Sequence, residues 1–171
     1  LEIEIPLEQV KNGINSYKGV RRRFELKNNN HDVLVVDDYA HHPTEVKATI
    51  NAAKNGWNKK IISVFQPHLF SRTKDFFKEF ANSLFDSDII IITDIYAARE
   101  KPVKGVSAKL IINELKLLGH NNTNYLSDLE QLNHFLDTIV KPGDMLITMG
   151  AGNIWRYSDK YNEHLKSKYS A

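Results

Sequence analysis

His31-Asp32-Val33-Leu34-Val35-Val36-Asp37-Asp38-Tyr39-Ala40-His41-His42-Pro43-Thr44-Glu45 passes from an apolar run through two acids, a phenol and two imidazoles into the start of a helix. Residues 31–36 read as an apolar strand. Pro43 suits the first helical position, because its fixed φ is already helical and its missing N–H costs no bond there. A strand that runs straight into a helix is the building unit of open α/β sheets, and such sheets bind ligands at the carboxyl ends of their strands. Folding does not require so many titratable groups at a strand end, so the stretch reads as a site.

The same alternation continues along the chain. Residues 6–17 place Leu7, Val10, Ile14 and Tyr17 at helical spacing ahead of Gly19, and Arg21-Arg22-Arg23 and Asn28-Asn29-Asn30 precede the apolar strand. The spacing predicts a helix over 43–55, with Val46, Ile50 and Ala53 on one face, and a strand over 60–65. A helix over 72–85, capped by Ser71 and carrying Phe76, Phe77, Phe80 and Leu84, leads to a strand over 88–93 with the run Ile89-Ile90-Ile91-Ile92. Ser107 is expected to cap a helix ending near Gly119, and a weak strand over 124–126 follows. Ser127 and Glu130 have the spacing of a capping box for a helix to Val140, before strand 144–149, a Gly150-Ala151-Gly152-Asn153 turn and a last helix. The fold class is therefore α/β: one doubly wound, mainly parallel, Rossmann-like sheet with helices on both faces.

Composition excludes several alternatives. The chain has 171 residues, enough for one domain and a short appendage. Its net charge of +2 creates no strong field for nucleic acid or a membrane surface, so neither is an expected partner. The absence of cysteine removes disulfides and thiolate metal sites, and no long apolar run or signal segment is evident, so a cytoplasmic protein is expected.

In a parallel sheet the segments Asp37–His42, Gln66–Thr73, Asp94–Glu100 and Gly150–Asn153 should share one edge and converge. Arg72, in a first helical turn, has the planar fork that grips a carboxylate; on spacing alone it reads equally as an exposed arginine. His41 and His42 are neighbours and should point apart, one to a ligand and the other to a cap or the core. Asp37, Asp38, His41 and His68 have metal-compatible donors, yet their adjacency is a weak spacing signal, and no metal is expected. Gly150-Ala151-Gly152 lacks the full dinucleotide pattern, and no G-x-x-x-x-G-K-[ST] loop exists in the chain. Any triphosphate chemistry would need another domain.

Taken together, Gly19-Val20-Arg21-Arg22-Arg23-Phe24-Glu25, the Val36–Glu45 segment, Phe65-Gln66-Pro67-His68-Leu69-Phe70-Ser71-Arg72-Thr73, Asp94-Ile95-Tyr96-Ala97-Ala98 and Thr148–Asn153 resemble the carboxyl-terminal domain of the L-alanine-adding Mur ligases of peptidoglycan synthesis. The resemblance implies that residues 1–24 are the end of a central domain and a hinge, and 25–171 the carboxyl-terminal domain. It implies a complete enzyme that uses ATP and Mg²⁺, bound mainly by the central domain, to join L-alanine to UDP-N-acetylmuramate. This chain would then be a closing lid, without catalytic residues of its own and inactive alone. By motif, Asp38 and Arg23 would contact the nucleotide, and Arg72, His41 and Tyr39 would bind L-alanine. Leu69 stands where many members carry arginine. The alternatives are the related murein tripeptide recycling ligase, a stand-alone nucleotide or amino-acid binding module, and a hydrolase built on a metal site.

Overall fold

The computed structural model describes residues 4–17, 19–28 and 32–169. The described elements run α1 (Leu7–Ser16), β1 (Glu25–Asn28), β2 (Leu34–Asp38), α2 (Pro43–Gly56), β3 (Ile61–Phe65), α3 (Phe70–Leu84), β4 (Ile89–Thr93), α4 (Lys109–Leu117), β5 (Thr123–Leu126), a 3₁₀ turn (Leu129–Gln131), α5 (Leu132–Ile139), β6 (Met145–Met149) and α6 (Ile154–Tyr169). The strands form one six-stranded sheet in the order β1-β2-β6-β3-β4-β5. All neighbours are parallel except β1, which pairs antiparallel with β2. The doubly wound α/β expectation holds, with an antiparallel edge added in front.

Period-two burial explains the layers, since successive side chains of a strand point to opposite faces. Leu34 and Val36 of β2, Ile90 and Ile92 of β4, and Ile147 and Met149 of β6 join Val46 and Ile50 of α2, Phe80 and Leu84 of α3, and Ile111 of α4 in one cluster. Their alternates Val35, Ile91 and Leu146 pack on the other face with Leu132 and Leu136 of α5 and Ile154, Tyr161 and Leu165 of α6. β6, last in sequence, lies between β2 and β3. The chain leaves β2 and β3 into α2 and α3 on one face, and leaves β6 into α6 on the other. That reversal is a topological switch point, where an open sheet has its crevice.

Several local expectations are corrected. The strand expected over 31–36 begins at Leu34, so Asp37 and Asp38 are its last two residues rather than loop; His31 lies outside the described residues, as do Asn29 and Asn30. The strand β1 was not predicted: four residues beside a basic turn carry little period-two signal. Ser71 does not cap α3. Leu69 occupies the cap position with φ +72, and Glu100 accepts from the Ser71 amide at 2.9 Å and from its hydroxyl. Ser107 does not cap α4 through its side chain; Ala108 precedes that helix. The capping box assigned to Ser127 and Glu130 is replaced by Asp128, whose carboxylate accepts from the Glu130 amide at 3.0 Å, while Glu130 pairs with Lys160 and Tyr157. At Ser71 and Ser127 a carboxylate displaced the expected hydroxyl, as its charge suits the positive end of a helix.

The face assignment of the helices is testable. Phe80 is fully buried against Phe65, with ring centroids 5.0 Å apart, so Phe80→Ala should cost about 3–5 kcal/mol. Leu117→Ala, on a side chain 81% exposed, should stay within about 0.5 kcal/mol in the same urea titration.

Candidate functional site at the carboxyl ends of the strands

The two acids at the end of β2 part company because they point to opposite faces. Asp37 is paired across the sheet with Thr148, whose hydroxyl donates to Oδ1 at 2.9 Å, and Arg22 Nε donates to Oδ2 at 3.1 Å. Burial raises the Asp37 pKa, and the Thr148 hydrogen bond and the Arg22 charge only partly oppose it. Asp38 faces the α2 side. Its Oδ2 accepts from the Phe24 amide at 2.9 Å and the Thr49 hydroxyl at 3.1 Å, and its Oδ1 accepts from the Ala40 amide at 2.8 Å. Among the described residues no three histidines, aspartates or glutamates are grouped to hold a metal ion, and this divergence is the reason for Asp37 and Asp38.

The turn before β1 is folded into the site by these acids. Arg22 and Phe24 adopt φ of +60° and +45°, a region that non-glycine residues rarely occupy without external support. The support is visible: Glu25 accepts from the Arg22 amide at 2.8 Å, Asp38 from the Phe24 amide, and the Arg22 carbonyl from the Tyr39 amide at 2.8 Å. The Arg22 side chain also donates to the Gly150 carbonyl at 2.6 Å, and its guanidinium lies 4.8 Å from the Tyr39 ring centroid. Arg23, the arginine singled out by motif, is exposed, with its guanidinium 5.6 Å from the same ring. Arg22 was missed because a basic triplet gives no sign of which member turns inward.

The expected convergence is present. The Tyr39, His41, His68 and Tyr96 rings form a continuous array with successive centroid separations of 5.1, 6.0 and 5.8 Å. His68 and Tyr96 are joined by backbone bonds in a short parallel bridge, with Leu69 N donating to Tyr96 O and Tyr96 N to Pro67 O. Arg72 Nη1 donates to the His41 carbonyl at 3.5 Å, a long bond that leaves most of the guanidinium's donors uncommitted among the described residues. The helix terminus it follows is not an open anion site, because the Glu100 carboxylate already occupies it. His42 and His41 do point apart. His42 caps α2 by accepting from the Thr44 amide, whereas His41 faces Tyr39 and His68.

Gln66 ties the last turn into this edge, donating to Asn153 Oδ1 at 2.9 Å and accepting from the Ile154 amide at 3.2 Å. Gly152 makes that contact possible, since a Cβ there would lie 2.3 Å from Gln66 Oε1 and 2.6 Å from Tyr96 Cγ. Burial, reinforced by the Arg72 and His41 charges, pushes the His68 pKa below its ordinary 6.5, and Glu100 only partly offsets this. His68 Nδ1 is buried without a partner among the described residues, in keeping with a neutral ring.

A doubly wound sheet with arginine, imidazole and phenol groups gathered at its switch point defines an α/β domain of the kind that carries its site at the strand ends. The sequence matches the family described as Mur ligase, glutamate ligase domain over residues 22–152, and the chain belongs to that family. It is 45% identical over 166 residues to a UDP-N-acetylmuramate–L-alanine ligase of Geotalea uraniireducens, covering 97% of this chain and 36% of that protein. It is 41% identical to the enzyme of the same name from Geobacter sulfurreducens, covering 100% of this chain and 37% of that one. Among solved structures, the UDP-N-acetylmuramate–alanine ligase of Thermotoga maritima superposes with a TM-score of 0.79 at 28% identity, over 96% of this chain and 34% of that one. A murein peptide ligase of Psychrobacter arcticus shares the fold at 22% identity and a TM-score of 0.71, over 90% of this chain and 32% of that one. The chain thus spans a little over a third of the length of the curated relatives it matches.

Two measurements probe this geometry. Gly152→Ala should displace Gln66 and Tyr96 and lower stability by about 1–3 kcal/mol in chemical denaturation. In an NMR titration the His68 ring should titrate below 6.5, and Arg72→Ala should move it upward by removing a nearby positive charge.

Proposed function

We propose that this chain is the carboxyl-terminal domain of the ATP-dependent ligase that joins L-alanine to UDP-N-acetylmuramate in peptidoglycan synthesis. The observation that carries the reading is the convergence of Arg72, His41 and Tyr39 at the strand ends of a domain whose relatives, 41% and 45% identical, bear that enzyme's name. Arg72 would hold the carboxylate of L-alanine through its uncommitted donors, a bidentate pairing that leaves the amine free to react. His41 and Tyr39 would line the same place.

Asp38 and Arg23 are assigned to the nucleotide. The three internal donors on Asp38 leave acceptor capacity mainly on Oδ1, so a ribose hydroxyl would add a bond there rather than replace one. Arg23 is exposed above Tyr39 and free to reach a bound nucleotide. ATP phosphates and Mg²⁺ would be held by the central domain, in keeping with the lack of a G-x-x-x-x-G-K-[ST] loop in this sequence. The division into residues 1–24 as the end of the central domain with its hinge, and 25–171 as this domain, is supported by α1. Each of its residues is exposed, with Leu7, Ile14 and the following Tyr17 presenting apolar surface. No described helix is long and apolar enough to cross a membrane, and we assign the enzyme to the cytoplasm.

The isolated chain should form no UDP-N-acetylmuramoyl-L-alanine. In the full-length enzyme Arg72→Lys keeps the charge but loses the two-donor fork, so kcat/KM for L-alanine should fall at least about tenfold, or about 1.4 kcal/mol, with KM for ATP little changed. Steady-state kinetics with each substrate varied decide it, and a wild-type value for L-alanine would refute the carboxylate assignment.

A further inference from the structure

One imidazole of the site is held in a defined tautomer. His41 Nδ1 lies 2.9 Å from the Tyr39 carbonyl oxygen and 3.2 Å from Glu45 Oε2. A carbonyl and an ionised carboxylate only accept hydrogen bonds, so the ring proton sits on Nδ1 and Nε2 keeps its lone pair. Among the described residues no donor or acceptor meets Nε2. Glu45 is itself fixed by the start of α2: its Oε2 accepts from the amides of His41 at 2.9 Å and His42 at 3.2 Å, completing the capping box. A carboxylate clamped by backbone amides, beside the N–H side of an imidazole, fixes the ring's orientation and leaves the other nitrogen facing outward to take a proton.

The other groups around His41 come from three further segments. Arg72 of α3 reaches its carbonyl at 3.5 Å, and His68, after β3, presents a ring 6.0 Å away. Tyr39 lies 5.1 Å away, with Arg22 and Arg23 of the turn before β1 against its ring. Arg72 opposes a positive charge on His41. Glu45 offsets it.

Resting on the ligase reading above, we infer that His41 is the general base that deprotonates the amino group of L-alanine, with Glu45 as its positioning residue. The amino acid arrives as an ammonium carboxylate, whose nitrogen has no lone pair. Nε2 takes one proton, and the freed pair forms the C–N bond at the carbonyl carbon of the muramoyl acyl phosphate, the mixed anhydride that such a ligase supplies. The carbonyl re-forms as the bond from carbon to the phosphate oxygen breaks, and phosphate departs with that electron pair. The second proton lost from nitrogen passes to the phosphate, and His41 returns its own to solvent. Arg72, holding the carboxylate two bonds from the amine nitrogen, keeps the amine within reach of the base.

The test uses the full-length ligase with His41→Gln and Glu45→Gln, each with L-alanine and with hydroxylamine, an amine already uncharged at neutral pH that traps acyl phosphates. For His41→Gln, kcat with L-alanine should fall at least about 100-fold at neutral pH, with KM changed less than about threefold. The deficit should shrink as pH rises and free amine accumulates, and hydroxamate formation should remain within about twofold of wild type. Glu45→Gln, which keeps the capping bonds, should lose about tenfold and shift the acid limb of the pH profile. A higher KM with kcat intact would make His41 a binding contact only and overturn the base, leaving the ligase reading standing. An equal loss with both amines, or a loss independent of pH, would also overturn it. Failure of the wild-type full-length enzyme to join L-alanine to UDP-N-acetylmuramate would instead sink the ligase reading.

Discussion

Because β6 is inserted between β2 and β3, the strand that closes the sheet delivers its final turn into the middle of the carboxyl edge. Three contacts of the site depend on that insertion. It brings Thr148 opposite Asp37, and it puts the Gly150 carbonyl under the Arg22 guanidinium. It also sets Gly152 against Gln66 and Tyr96 at a spacing that tolerates no Cβ. The helices that follow β2 and β6 depart to opposite faces, so the crevice between those strands is left uncovered by either layer.

The edge is stabilised from within. Arg22, Phe24 and Leu69 hold left-handed conformations, and in each case neighbouring groups supply the bonds that support the backbone: Glu25, Asp38 and the Tyr96 carbonyl respectively. Glu100 fills the amino terminus of α3, and Glu45 the amino terminus of α2. Burial raises the Glu45 pKa, but hydrogen bonds from His41 and His42 and the charges of His41 and Arg23 outweigh it, so the carboxyl stays below its ordinary value. The acids of this edge are mostly committed to shaping the backbone. The groups left less committed among the described residues are Arg72, the Nε2 side of His41 and the exposed Arg23.

Legibility followed the range of the interaction. Alternating strand and helix patterns, the apolar run at Ile89–Ile92 and the proline at the start of α2 are local signals, and they placed most of the elements to within a few residues. The helix caps were misread at Ser71, Ser107 and Ser127 because a hydroxyl at the right offset is only a candidate. Glu100 and Asp128 outcompeted it, and the Glu100 contact spans 29 residues that spacing rules do not see. The edge strand β1 escaped because its partner, not its own pattern, makes it a strand.

The sequence by itself determined the fold class, the convergence of four strand ends on one edge and the family, since these rest on periodicity and on contiguous motifs. Only the tertiary structure decided that Arg22 rather than Arg23 turns inward, that Asp37 and Asp38 serve opposite faces, and that His41 Nδ1 meets the Tyr39 carbonyl. Those outcomes depend on which groups meet across the sheet, and a side chain's direction and partner are fixed by neighbours far along the chain, as Arg22 is by Gly150, 128 residues away.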